Sequence, residues 1–243
     1  MNQTGTEKKE GCLLCGKPIR YEAKAERKVC AVCGKEFLDN ASCEDGHYIC
    51  SRCHSLGMLP VISVLLSSEE KDPIRLFLAA VAMDGIHMHG PEHHTLVPCV
   101  LLTAYHNCGG RIGSEKEPLS LFDALTEAVR RGSQVPGGFC GFWGVCGAAV
   151  GAGIYGSIVS GSGPLNGEAW PVPQRLTAAC LNRLAEVGGP RCCKRTGRLA
   201  IETAVSFTKE QFGITMPVSR IPCEYFEKNA ECLRGGCLFF SGK

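Results

Sequence analysis

Four close pairs of metal-ligating side chains crowd the first sixty residues: Cys12-Leu-Leu-Cys15, Cys30-Ala-Val-Cys33, Cys43 with His47, and Cys50-Ser-Arg-Cys53. A two-residue gap lets a tight turn aim two sulfurs at one ion. Gly16 and Gly34, just after two of the pairs, permit the close backbone approach that such knuckles use. Eight ligands make two tetrahedral sites, and thiolate with imidazole suits zinc. The partition is either sequential (Cys12, Cys15, Cys30, Cys33, then Cys43, His47, Cys50, Cys53) or crossed, with the first pair joining the third. His54 is a spare ligand beside the last pair. So short a segment has little core of its own, and structural zinc contributes about 10–16 kcal/mol to folding in small fingers. Closed four-ligand sites leave no position for a substrate, so catalysis is expected elsewhere.

Seventeen cysteines, an odd number, fit metal thiolates in a reducing compartment better than a disulfide framework. No apolar run follows the charges of MNQTGTEKKEGC, so a cytoplasmic protein is expected. The net charge of +2 supplies no field for gathering nucleic acid or an anionic membrane. Residues 1–60 carry nine Lys or Arg and eight acids, and seven metal thiolates on two zinc ions turn that balance slightly negative. Protein docking is therefore the expected role of this module, not nucleic-acid binding.

The sequence divides into a zinc module (1–58), a linker (59–71) and a helical domain (72–243), giving a mainly α chain without strand alternation. Helix punctuation recurs in the last part: Asp72-Pro73 opens IRLFLAAVAMDGI, Gly90-Pro91 opens EHHTLVPCVLLTAYHN before Gly109-Gly110, and Ser120 with Asp123 caps ALTEAVRR. Pro98 argues for a kink in the second run. Pro173 opens QRLTAACLNRLAEV, and Arg191 to Phe212 reads as a long amphipathic helix ended by Gly213. A bundle of six or seven helices is expected.

From Gly132 to Gly167 no residue is charged and twelve of thirty-six are glycine. Residues 139–159 are long enough to span a bilayer, but their six glycines and the missing basic flanks favour a buried central helix instead. Its face of Cys140, Gly144, Gly147 and Gly151 lets a neighbouring backbone or a cofactor approach closely, with Cys146 about 120° away. Four of seven histidines and one carboxylate fall in His87-Met-His89-Gly-Pro-Glu92-His93-His94. His93 and His94 would sit in the first turn of a helix, kept neutral by its dipole, with His89, His93 and His94 as ligands of a mononuclear transition metal and Glu92 in support. The vicinal Cys192-Cys193, flanked by Arg191, Lys194 and Arg195, is expected to have lowered thiolate pKa values and to carry thiol chemistry. Cys223, Cys232 and Cys237 follow no standard ferredoxin spacing, so an iron–sulfur cluster using them would be assembled from separate segments.

Cys146-Gly-Ala-Ala-Val-Gly-Ala-Gly, after a charge-free glycine run and before further cysteines, resembles the C-GCAxxG-C-C family of small helical redox or metal proteins, over about residues 136–240. The knuckles, MHGPEHHTLVP and the glycine segment together resemble an uncharacterised cysteine-rich family of anaerobic bacteria and archaea, a domain of unknown function. These resemblances imply an oxygen-poor, metal-using host and name no substrate. The expectation is a cytoplasmic metalloprotein with a redox or group-transfer role, sulfur or methyl; the alternative is a zinc-stabilised adaptor without catalysis. Sequence motifs for nucleotide binding and for serine hydrolysis are absent.

Overall fold

The computed structural model describes residues 11–242, so the first ten residues, read above for a leader, lie outside the description. Strand β1 (Ile19–Val29) pairs antiparallel with β2 (Glu36–Cys43), Ile19 opposite Cys43 and Val29 opposite Glu36. The hairpin corrects the expectation of no strands. Both of its faces are largely exposed, so its sequence, IRYEAKAERKV, carries no inward alternation to betray it. The chain then enters a short helix α1 (Ser51–His54) and helix α2 (Met58–Ser67). The stretch read as a linker is mostly helical, because Met58, Val61 and Leu65 bury one face against the core of the bundle.

The remaining helices start and stop largely where their punctuation places them. Asp72 accepts from the backbone N–H of Ile74 at 2.8 Å and caps α3 (Pro73–Ala82). Helix α4 (Glu92–Asn107) runs on through Pro98 and is buried around nearly its whole circumference. It packs against α2, α3, α7 (Gly147–Ser160), α9 (Cys193–Phe212) and α5 (Leu121–Gly132), whose cap is Ser120 accepting from the Asp123 N–H at 3.1 Å. Helix α8 (Pro171–Val187) precedes α9, which ends at a left-handed Gly213.

The glycine-rich run is two helices rather than one. Helix α6 (Phe139–Phe142) is a single turn; Gly144 then takes φ +66°, and Cys146 becomes the N-cap of α7. Cys140 and Cys146 therefore do not share a straight helix. Among the described residues no helix is long and apolar enough to cross a membrane. Helix α7 packs against α4, α5, α8 and α9, and its glycines set the α4 crossing: a Cβ on Gly151 would lie 2.8 Å from the His94 carbonyl oxygen and 2.9 Å from Pro98 Cδ.

Two effects of Gly151→Ala oppose each other. Helix propensity favours alanine by about 1 kcal/mol, whereas overpacking costs typically about 1–3 kcal/mol. Contact with backbone leaves nothing flexible to yield, so overpacking prevails: thermal unfolding is expected to show lower stability for Gly151→Ala, while an unchanged or raised midpoint would mean that the two helices separate freely.

Candidate metal centres and the pocket between them

The N-terminal donors form two groups, and the partition is crossed. Cys12, Cys15, Cys43 and His47 bring one ligand atom each within 4.8 Å of one another, as do Cys30, Cys33, Cys50 and Cys53. Antiparallel pairing dictates this arrangement, because it lays the start of β1, with the first knuckle, beside the end of β2. The second knuckle sits at the hairpin turn, where the returning chain bridges Cys30 to Tyr48. The two knuckles share a hydrogen-bond pattern: the Cys12 N–H donates to the Lys17 carbonyl at 2.8 Å, and Cys30 to Lys35 at 2.9 Å. Separations of 3.8 Å for Cys15–Cys43 and 3.9 Å for Cys33–Cys50 match the edge of about 3.8 Å that a tetrahedron of zinc–sulfur bonds requires. Burial opposes ionisation of Cys30, but backbone N–H groups of Cys50, Cys33 and Val32 outweigh it and bring the thiol down to about 6. At Cys30 the thiolate form that a metal needs is thus favoured, whereas burial raises Cys50 and Cys53 of the same group.

A third group was not anticipated: His54, His87 and Glu92 also converge within 4.8 Å. His54 ends α1 of the N-terminal module, His87 precedes α4, and Glu92 is the first residue of α4. The Glu92 carboxylate is fully buried. Its Oε1 accepts from the His87 N–H at 2.9 Å and lies 3.2 Å from His87 Nδ1; its Oε2 lies 3.5 Å from His54 Nδ1 without hydrogen-bond geometry, and both of those atoms are buried and otherwise unsatisfied. Burial opposes ionisation of Glu92, yet its contacts with His54 and His87 hold the carboxyl well below its usual range. The signal in the sequence was present but split, since His54 and Glu92 lie in different modules.

The histidines named from sequence are not gathered into one donor set. His89 turns to Asn229 (3.2 Å) and Glu231 (3.4 Å). His93 Nδ1 lies 3.2 Å from the Gly90 carbonyl oxygen while its Nε2 faces Lys194 at 3.4 Å, and His94 Nδ1 lies 2.9 Å from the Val135 carbonyl oxygen. All three are driven toward the neutral form, chiefly by burial rather than by a helix dipole; His89 falls to about 4.

Between the module and the bundle lies a pocket of about 420 Å³, with Tyr21, His54, His89, His94, Cys140 and Cys193 among its walls. Arg191 also reaches it, its guanidinium over the Tyr21 ring at 4.9 Å and 3.3 Å from Glu231. Cys146 and Gly147 line a smaller adjoining cavity with Cys140 and Cys193. The vicinal pair lines that smaller cavity together; Cys193 also reaches the main pocket, and Cys192 also reaches a separate narrow cavity shared with Cys223, Cys232 and Cys237. The flanking cations do not lower these thiols as their spacing suggested. Burial dominates, raising Cys192 and pushing Cys193 up to about 12. Gly151 serves the contact with α4, and Gly144 the break before α7; neither lines the pocket.

Residues 61–240 match a family of unknown function, DUF5714. The chain belongs to DUF5714. No curated protein and no solved structure matches it. The DUF5714 span holds His87, Glu92, the glycine helix and every C-terminal cysteine, while both knuckles and His54 precede it.

Crossed ligation has a direct consequence. Cys43→Ser/Cys50→Ser breaks both N-terminal groups and is expected to lose two zinc ions per chain by elemental analysis, whereas Cys43→Ser/His47→Ala breaks one and loses one. Loss of a single zinc from Cys43→Ser/Cys50→Ser would mean sequential ligation.

Proposed function

We propose that the protein is a metal-dependent redox or group-transfer protein that works in the pocket between its two modules, with two structural zinc ions in the N-terminal module and a further divalent ion on His54, His87 and Glu92. The observation that carries this reading is the incomplete ligand set. Structural zinc is closed by four protein ligands, whereas catalytic sites use three, and two imidazoles with a carboxylate is one of the recurring sets. His54 belongs both to that set and to the wall of the 420 Å³ pocket, where Cys140 and Cys193 are also presented. A bound ion would supply Lewis acidity or an activated water there. Arg191 offers a guanidinium for an anionic substrate group, with Glu231 and Tyr21 fixing its position. All seventeen cysteines are free thiols, which supports a reducing, cytoplasmic setting.

The adaptor reading draws on a different observation. Leu14, Val29, Val32 and Leu38 of the zinc module are exposed, with Leu38 71% accessible, and such apolar side chains suit a protein partner.

Cobalt separates the two readings. After the knuckles are filled with zinc, a further equivalent of Co²⁺ is expected to bind the wild type with weak visible bands lacking strong sulfur charge transfer, and to be lost from Glu92→Gln and His87→Ala. Azide should shift those bands if a coordination position opens to the pocket. Absence of a further binding equivalent, or bands indifferent to azide, would favour the adaptor.

A further inference from the structure

We infer that Cys192, Cys223, Cys232 and Cys237 together hold a [4Fe–4S] cluster. Cys192 is the N-cap of α9, and the other three come from the segment after that helix, which folds back so that all four line one narrow cavity. Three of the sulfurs already accept backbone N–H groups: Arg195 N to Cys192 Sγ at 3.5 Å, Tyr225 N to Cys223 Sγ at 3.4 Å and Arg234 N to Cys232 Sγ at 3.4 Å. Such donors stabilise thiolate ligands and tune cluster potentials.

Size and charge select the cluster over a single ion. In both knuckle sites the ligand atoms close to within 4.8 Å of one another, but no three of these four sulfurs do so. A cluster, larger than one ion, spreads its ligands further apart. Four thiolates on an [Fe₄S₄]²⁺ core carry a net charge of about −2, and an ion of that charge in a buried site needs compensating cations. Arg195 and Arg198 stand in the cavity wall at 4% and 2% exposure, and Arg195 Nε and Arg198 Nε and Nη1 lack any hydrogen-bond partner. Arg195 Nη2 donates to the Gly188 and Pro190 carbonyls and Arg198 Nη2 to that of Ile221, so each guanidinium is only part-satisfied, and an anion in the cavity would accept from the buried N–H groups left over. Phe239, with its ring 3.8 Å from the Arg198 guanidinium carbon, and Phe226 against Phe240 form the apolar part of the cavity wall.

Assembly from two Fe²⁺, two Fe³⁺ and four sulfide ions gives the [Fe₄S₄]²⁺ core without net electron transfer, and the four thiol protons leave as four iron–thiolate bonds form. The core then takes one electron from an external low-potential one-electron donor in passing from [Fe₄S₄]²⁺ to [Fe₄S₄]⁺. Cys193, one peptide bond from the cluster ligand Cys192, faces the pocket, so the electron would be stored next to the proposed reaction site. The cluster does not depend on the His54–His87–Glu92 ion, because iron and sulfide counts and the cobalt titration read different residues.

The test uses the full chain, purified without oxygen and reconstituted with equal amounts of Fe²⁺ and Fe³⁺ and with sulfide. About four iron and four sulfide per chain are expected, with broad visible absorption that one electron from dithionite bleaches and a paramagnetic signal that appears on reduction. Cys192→Ser and Cys237→Ser should each lose at least half of the iron and sulfide while keeping the N-terminal zinc; Cys108→Ser, away from the cavity, should lose neither. Arg198→Met should lower the midpoint potential by removing a buried positive charge. Should a serine variant fail to fold, the wild-type counts and the Arg198→Met shift decide. Wild-type protein that takes up zinc or iron without sulfide, or that retains its cluster unchanged in both Cys192→Ser and Cys237→Ser, would overturn the assignment.

Discussion

A buried carboxylate joins the two halves of this molecule. Glu92 has no exposure to solvent, and an isolated carboxylate in that position would be very costly. His87 meets it from the loop before α4 and His54 from the short helix α1 of the N-terminal module. Gly90 makes the arrangement sterically possible, since a Cβ there would lie 2.1 Å from Glu92 Oε2. His54 and Glu92 meet only where the N-terminal module and the start of α4 are both in place.

The layout around α9 follows the same economy. Its N-terminal residues Cys192 and Cys193 share one small cavity, from which Cys192 also reaches the C-terminal cysteines and Cys193 the main pocket. Lys194, also buried, bridges back by donating to the carbonyls of His87 and Met88, which fixes the loop that carries His87. One helix start thus aligns a thiol cavity, a pocket wall and a ligand loop.

What the sequence disclosed was local, and what it concealed was contact between distant segments. Knuckle spacing, the caps at Asp72 and Ser120 and the stop at Gly213 depend on a few neighbouring residues and were legible. The hairpin was not, because its two exposed faces erase the alternation that marks a strand. Gly144 in the left-handed region breaks a run whose apolar composition suggested one continuous helix. The histidine run was recognised as a ligand source, yet the donors that converge with Glu92 are His87 and the distant His54, while His89, His93 and His94 make their hydrogen-bond contacts with other groups. Flanking cations suggested reactive thiolates at Cys192 and Cys193; only the fold reveals the burial that reverses the sign.

The central claim is that a metal ion sits where the module meets the bundle. Anomalous diffraction from crystals of oxygen-free protein, collected at the absorption edges of the divalent metals found by elemental analysis, tests it most directly. The account expects a peak bounded by His54, His87 and Glu92 in addition to one in each knuckle group. Density showing His54 and Glu92 in direct contact with no ion between them, and anomalous peaks at the knuckles alone, would contradict it.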